Sequence, residues 1–175
     1  MIEIRALRED DERSSFRSGD PDLDRFFLKF AGQNQFRHHL GATYVAAEAG
    51  RILGFATVAP GHVEIDGLPA AVRSKLPRYP LPVLRLARLA VDQSTQGQGL
   101  GAQLLRFVCH LALRMASDLG CVGVVVDAKP AAISFYARCG FIPIDAIEGP
   151  SGERPALVSM FLSIRAIKGA RVTSP

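Results

Sequence analysis

The stretch Gln96-Gly97-Gln98-Gly99-Leu100-Gly101 has the residue types and spacing of a binding loop. It follows an apolar segment, Leu84 to Val91, and opens an amphipathic one, Leu100 to Asp118. A strand, a glycine turn and a helix in that order leave several backbone N–H groups unpaired, aimed at one point, with the positive end of a helix dipole behind them. That arrangement suits a pyrophosphate. Glycine is needed because a Cβ would hold the ligand off the backbone and would penalise positive φ. The loop therefore predicts a phosphate-bearing cofactor.

Two familiar phosphate loops fit it poorly. A P-loop needs Gly-Lys-Ser/Thr after its glycines, and Leu100-Gly101-Ala102-Gln103 has neither the lysine nor the hydroxyl. Gly97, Gly99 and Ala102 satisfy the spacing G-x-G-x-x-G/A of a dinucleotide fold. That fold also wants an acid at the end of the next strand, ~20 residues on. Asp118 has the spacing but falls at the end of the helix, and Asp127 comes too late.

The elements that must position this loop are legible around it. Ile2 to Leu7 reads as a first strand. Asp20-Pro21-Asp22 is a helix start, with an Asp cap, proline at the first helical position and an acid near the dipole. Leu23, Phe26, Phe27, Phe30 and Ala31 follow at helical spacing and predict a core stripe. Thr43 to Ala47 and Ile52 to Ala59 read as strands joined by the turn Glu48-Ala49-Gly50-Arg51. Pro60 to Pro82 is proline-rich and basic, an irregular excursion with a short helical turn around Ala70 to Lys75. Leu84 to Val91 is the next strand, and the helix from Leu100 to Asp118 closes on Gly120. The β-branched run in Cys121 to Asp127 predicts a strand buried on both faces. Pro130 to Arg138 is a short helix ended by Gly140, and Phe141 to Ile144 and Ala156 to Ile164 are further short strands. These elements predict one mixed α/β domain over residues 1–168, antiparallel in its N-terminal half, with a frayed tail at 169–175.

Composition narrows the class. At 175 residues, with 48% of them hydrophobic, the chain suffices for one core. No apolar run approaches the ~20 residues that cross a membrane, and the N-terminus reads as a strand, not a signal peptide. The three cysteines, Cys109, Cys121 and Cys139, lack metal or redox spacing. They are expected as buried, reduced thiols in a cytoplasm, with no metal site. His38 and His39 follow a helix end and suit a surface role. The net charge of +4 is unevenly spread. Acids crowd the chain up to Asp24. Bases alone occupy Asp24 to Glu48 and Asp66 to Asp92, the second stretch holding Arg73, Lys75, Arg78, Arg85 and Arg88. Such segments suit either a polyanionic partner or a solvated, salt-bridged surface.

A third reading of the loop carries a resemblance. Gln96-x-x-Gly99-x-Gly101 resembles the acyl-CoA signature Q/R-x-x-G-x-G/A of the GNAT N-acetyltransferase superfamily, and Ala132-x-x-Phe135-Tyr136-x-x-x-Gly140-Phe141 resembles that family's second CoA-contacting helix and following strand. The two blocks stand in the family's order. The resemblance implies an α/β (α+β) GNAT fold with a mostly antiparallel sheet of about six to seven strands and about four helices. Ser18 to Phe27, Thr43-Tyr44-Val45 and Arg88 to Asp92 are similar to the GNAT-type toxins of bacterial toxin–antitoxin pairs. That likeness implies acetylation of aminoacyl-tRNA, a ribbon-helix-helix antitoxin and a homodimer.

The resemblance also distributes roles. It implies that acetyl-CoA lies on Gln96, Gly97, Gln98, Gly99, Leu100, Gly101 and Ala102, with its pantetheine arm along Leu89, Ala90 and Val91 like an added strand. An amide of Leu89 or Ala90 would polarise the thioester oxygen. Tyr136 is the candidate general acid, since a phenol of pKa ~10 is protonated at neutral pH; otherwise it is a half-buried packing residue. No general base declares itself, and Asp92, Glu48 and Asp127 are the carboxylates to consider. Lack of a base favours an α-amino acceptor, pKa ~8, over a lysine amine, pKa ~10.4. Arg85 and Arg88 would contact cofactor phosphate, the terminal nucleotide of tRNA or a core carboxylate. Arg73, Lys75 and Arg78 would contact RNA backbone. The rival functions are acetylation of a small amine or a protein N-terminus, and acyl-CoA binding without turnover.

Overall fold

The computed structural model describes residues 1–77, 80–144 and 157–172. Seven strands share one sheet: β1 (Glu3–Ala6), β2 (Ala42–Glu48), β3 (Arg51–Val63), β4 (Leu81–Val91), β5 (Gly123–Ala128), β6 (Ile142–Pro143) and β7 (Val158–Ser163), in the order β1-β2-β3-β4-β5-β7-β6. The pairs β1·β2, β2·β3, β5·β7 and β6·β7 are antiparallel. Six α-helices accompany them among the described residues: α1 (Pro21–Lys29), α2 (Ala31–Phe36), α3 (Ala70–Arg73), α4 (Leu100–Asp118), α5 (Ile133–Arg138) and α6 (Ile164–Val172). This is the expected mixed α/β architecture, with more helices than the expected four. The first predicted helix breaks at Phe30, which caps α1 and starts α2, and α6 runs to Val172, beyond the expected end of order at Lys168.

The chain divides into two compact units, Met1–Ala59 with Leu86–Val108, and Pro60–Arg85 with Cys109–Pro175. The first unit packs Leu7, Phe16, Phe26, Phe27, Ala31, Val45, Ile52, Phe55 and Ala90 into one cluster. Phe27 stacks on Phe55 at 4.3 Å between centroids, with Phe16 edge-on to both rings. Asp20 caps α1 by accepting from the amides of Asp22 and Leu23, as the sequence predicts. Phe26, Phe27 and Ala31 are buried, whereas Phe30 is exposed because the helix breaks there. The β2–β3 connection is a two-residue turn, Ala49-Gly50, with φ of 50° and 79°, the signs a type I′ hairpin requires.

The second unit packs Val63, Leu68, Leu81, Val83, Val125 and Phe161. This core explains why Pro60 to Pro82 is less irregular than expected: β3 continues through Pro60 so that Val63 joins the cluster, and β4 already begins at Leu81. The helical turn predicted near Ala70 is α3. Val124, Val125 and Val126 are all buried in β5, the two-faced burial their β-branched run predicts. Of the three free cysteines only Cys121 is buried. Cys109 and Cys139 are half-buried, the latter at the C-cap of α5.

Candidate functional site

The loop lies in the first unit. β4 ends at Val91, Asp92 caps a 3-10 turn over Gln93–Thr95, and Gln96 is extended. Gly97 and Gly99 then take φ of +77° and +83°. A Cβ built on either would meet nothing within 4 Å, so backbone conformation demands glycine there, and the space above both is open. Leu100, 2% exposed, anchors the start of α4. The Gln103 amide donates to Gly99 O at 3.1 Å, and the amides of Leu100, Gly101 and Ala102, as first-turn groups, have no acceptor one turn back in the helix. Together these features set first-turn amides beside open space at the place where the sequence expects a pyrophosphate.

A polar frame fixes the loop from behind. Asp92, 4% exposed, accepts from the Arg17 amide at 3.0 Å, the Ser94 amide at 3.0 Å, the Ser94 hydroxyl at 2.6 Å and the Arg51 guanidinium at 3.1 Å. Burial pushes its carboxyl up, but the hydrogen bonds from Ser94 and Arg17 and the Arg51 charge outweigh that and hold it below the ordinary aspartate value. The Gln96 amide group donates to Ser18 O at 2.7 Å and to Val91 O at 2.9 Å. Its side chain is thus a strut between the segment entering α1 and the end of β4. Arg17, Arg51 and Ser94 were not singled out as site residues from the sequence, and Ser18 stood out only within the toxin-like stretch Ser18 to Phe27. The signal that pointed to the frame was Asp92 itself, a residue type equally suited to a base.

Of the strand residues expected beside a pantetheine arm, Ala90 is buried in the first core, and Leu89 and Val91 are half-buried. The Arg88 guanidinium lies 3.7 Å from the centroid of the Phe26 ring, a cation–π contact that fixes its direction.

The other predicted residues belong to the second unit. Tyr136 on α5 is 6% exposed, with Phe135 and Phe141 edge-on to its ring at 5.1 and 5.4 Å. Burial, with a contribution from Cys139, pushes its phenol up to about 12, so it is protonated throughout the neutral range. Arg85 donates to Asp127 at 3.0 Å, and Ser159 donates to the other Asp127 oxygen at 2.7 Å; here Arg85 meets a carboxylate. Arg73 and Lys75 are exposed, at the end of α3 and just after it. Arg78 lies outside the described residues.

The three carboxylates considered as bases are all engaged. Asp92 holds the frame, Asp127 holds Arg85, and Glu48 meets the N-terminal amine at 3.0 Å. Among the described residues no group of three or more His, Cys, Asp or Glu could hold a metal ion, and no helix is long and apolar enough to cross a membrane.

Comparison with known proteins agrees with the family resemblance. Residues 39–143 match the acetyltransferase (GNAT) domain family. A tRNA-acetylating toxin of Mycobacterium tuberculosis is 36% identical over 140 residues, which cover 78% of this chain and 82% of that protein. The structure of AtaT complexed with acetyl-methionyl-tRNAfMet is similar with a TM-score of 0.85 and 26% identity, over 98% of this chain and 99% of that one. That of AtaTR bound with acetyl-CoA is similar with a TM-score of 0.77 and 26% identity, over 97% and 98%.

Proposed function

The chain belongs to the GNAT acetyltransferase family, and from that premise we propose that its acceptor is the α-amino group of aminoacyl-tRNA, so that it acts as a translation-blocking toxin. As a member of that family it is an acetyl-CoA-dependent N-acetyltransferase. One observation carries the choice of acceptor: a relative covering about four-fifths of both chains is a tRNA-acetylating toxin. The engaged state of Asp92, Asp127 and Glu48 supports it further. With those three carboxylates engaged, an amine already partly neutral at pH 7 is the better nucleophile.

In this mechanism the amides from Gln98 to Ala102 hold the pyrophosphate of acetyl-CoA, and a backbone N–H of Leu89 or Ala90 polarises the thioester oxygen. The open space over Gly97 and Gly99 fits such a group. The acceptor nitrogen attacks the thioester carbon, and the C–S bond breaks as Tyr136 gives its phenolic proton to sulfur. The phenolate regains a proton from the new amide nitrogen, so acetyl-CoA and amine become amide and free CoA without a separate base. Arg73, Lys75 and Arg78 are the residues for RNA backbone, and Arg88 the one for phosphate nearer the reaction, Arg85 being paired with Asp127. A cytoplasmic homodimer neutralised by a ribbon-helix-helix antitoxin completes the proposal, with residues 1–168 as its single catalytic domain.

The test supplies labelled acetyl-CoA and total charged tRNA to the purified protein, with Tyr136→Phe alongside. Label on the amino acid attached to RNA is expected, and its loss in the variant. Label appearing only when small amines or peptides are added would overturn the tRNA acceptor.

A further inference from the structure

The glycine loop is not held by its own helix alone. Two side chains, Asp92 and Gln96, bind it to the strand before it and to a segment some 75 positions earlier. Arg17 gives its amide to Asp92 at 3.0 Å and takes the Gln93 amide on its carbonyl at 2.8 Å. The Ser18 carbonyl accepts from the Gln96 side chain at 2.7 Å, and the Ser18 amide and hydroxyl donate to Asp24 inside α1 at 2.8 and 2.6 Å. The loop is further pinned to β3, through the Asp92 amide on Leu53 O at 2.8 Å and through Arg51. Gly19, with φ +91°, lets the chain pass this point; a Cβ there would stand 2.8 Å from Nε2 of the Gln93 side chain.

A cradle of backbone amides works only if the amides converge before the anion arrives. The first-turn amides of α4 are fixed by the helix, but those from Gln96 to Gly99 stand on two positive-φ glycines, a permissive backbone. Their direction must come from the frame. Asp92 has the qualities needed: a buried carboxylate, charged at neutral pH, with both oxygens occupied by donors from three separate segments. Gln96 turns its amide nitrogen onto two carbonyls of this chain, leaving binding at that position to its backbone.

We infer that Asp92 and the Gln96 side chain are positioning residues for the acetyl-CoA loop, aiming its amides by tying it to Arg17-Ser18 and Val91, rather than a base and a direct phosphate ligand. The inference rests on the reading that this loop holds acetyl-CoA.

Calorimetric titration of acetyl-CoA into the full chain tests it, with steady-state kinetics on charged tRNA in parallel. Asp92→Asn keeps the size but lacks the second acceptor, and Gln96→Glu keeps the size but has no donor for the two carbonyls. Each should weaken acetyl-CoA binding about ten-fold or more, as expected for misaimed groups, and raise its KM alike while kcat at saturation holds within about two-fold. Gln96→Arg restores N–H donors and should bind within about three-fold of wild type. Asp11→Asn, which breaks the Arg5–Asp11 pair of the same unit, controls for stability: it should lower Tm and leave binding unchanged. Binding by Asp92→Asn and Gln96→Glu as tight as wild type would overturn the inference alone, as would equal weakening by Asp11→Asn. Failure of the wild type to bind acetyl-CoA would overturn the proposed function together with the inference.

Discussion

Tyr136 shows how one environment serves two ends. Burial among Phe135, Phe141 and the helix raises its phenol to about 12, which keeps the proton on but makes the group a weaker acid at rest. In the proposed mechanism its transfer is coupled to the breaking C–S bond, where the sulfur becomes basic. If so, Tyr136→Phe lowers kcat about a hundred-fold, the scale of a lost general acid, and leaves the Kd for acetyl-CoA unchanged; stopped-turnover assays and titration separate the two. The same shift makes a stability prediction. The unfolded phenol ionises near 10 and the folded one near 12. The unfolded chain thus binds fewer protons in between, and stability falls as pH rises from 10 to 12. Urea unfolding across that range should show the slope in the wild type and a reduced one in Tyr136→Phe.

At the scale of elements, close approach and turn geometry decide more than propensity. Gly54 in β3 faces α4 so closely that a Cβ would stand 2.9 Å from Leu104 Cδ1 and 3.1 Å from Ala90 O. Gly54→Ala is therefore expected to push the helix off the strand and to destabilise by about 1–3 kcal/mol, the range of an overpacked core, read by thermal melting. Ala49 does the opposite, holding a left-handed conformation at φ 50° that an alanine adopts at a cost. Asn tolerates that region through its side-chain hydrogen bonding. Ala49→Asn should accordingly raise stability by about 0.5–1 kcal/mol in the same melt.

For the molecule as a whole, charge distribution is the property that separates an RNA acceptor from a small one. The acids before Asp24 are largely spent within the chain: Asp11 holds Arg5, Asp20 caps α1, and Asp24 holds Ser18. Arg73 and Lys75 remain exposed to solvent. If they meet RNA backbone, the logarithm of kcat/KM for charged tRNA falls linearly with the logarithm of salt, and each neutralised contact reduces the slope by about 1. The double variant Arg73→Gln, Lys75→Gln should flatten that plot while leaving acetyl-CoA binding unchanged. An unaltered slope would assign both to a solvated surface.

The division between what local pattern and tertiary contact decide follows from the range of the forces. The α1 cap, the hairpin at Ala49-Gly50, the doubly buried β5 and the span of α4 were legible because each depends on residues within a turn or two. The glycine loop was legible for the same reason: positive φ and a helix start are local properties. The side-chain partners were not. Arg88 on the Phe26 ring, Arg85 on Asp127, and Gln96 on Ser18 O join residues 42 to 78 positions apart, and the continuation of β3 through Pro60 brings Val63 to Val125 and Phe161 in the second core. Residue type alone leaves an arginine free to be a phosphate ligand or an ion-pair partner, and an aspartate free to be a base or a strut. The sequence by itself determined that a glycine loop stands between a strand and a helix of a GNAT chain. Only the tertiary structure decided which polar groups near it are spent in holding it, because hydrogen bonds and ion pairs form between whatever the fold brings within 3 Å.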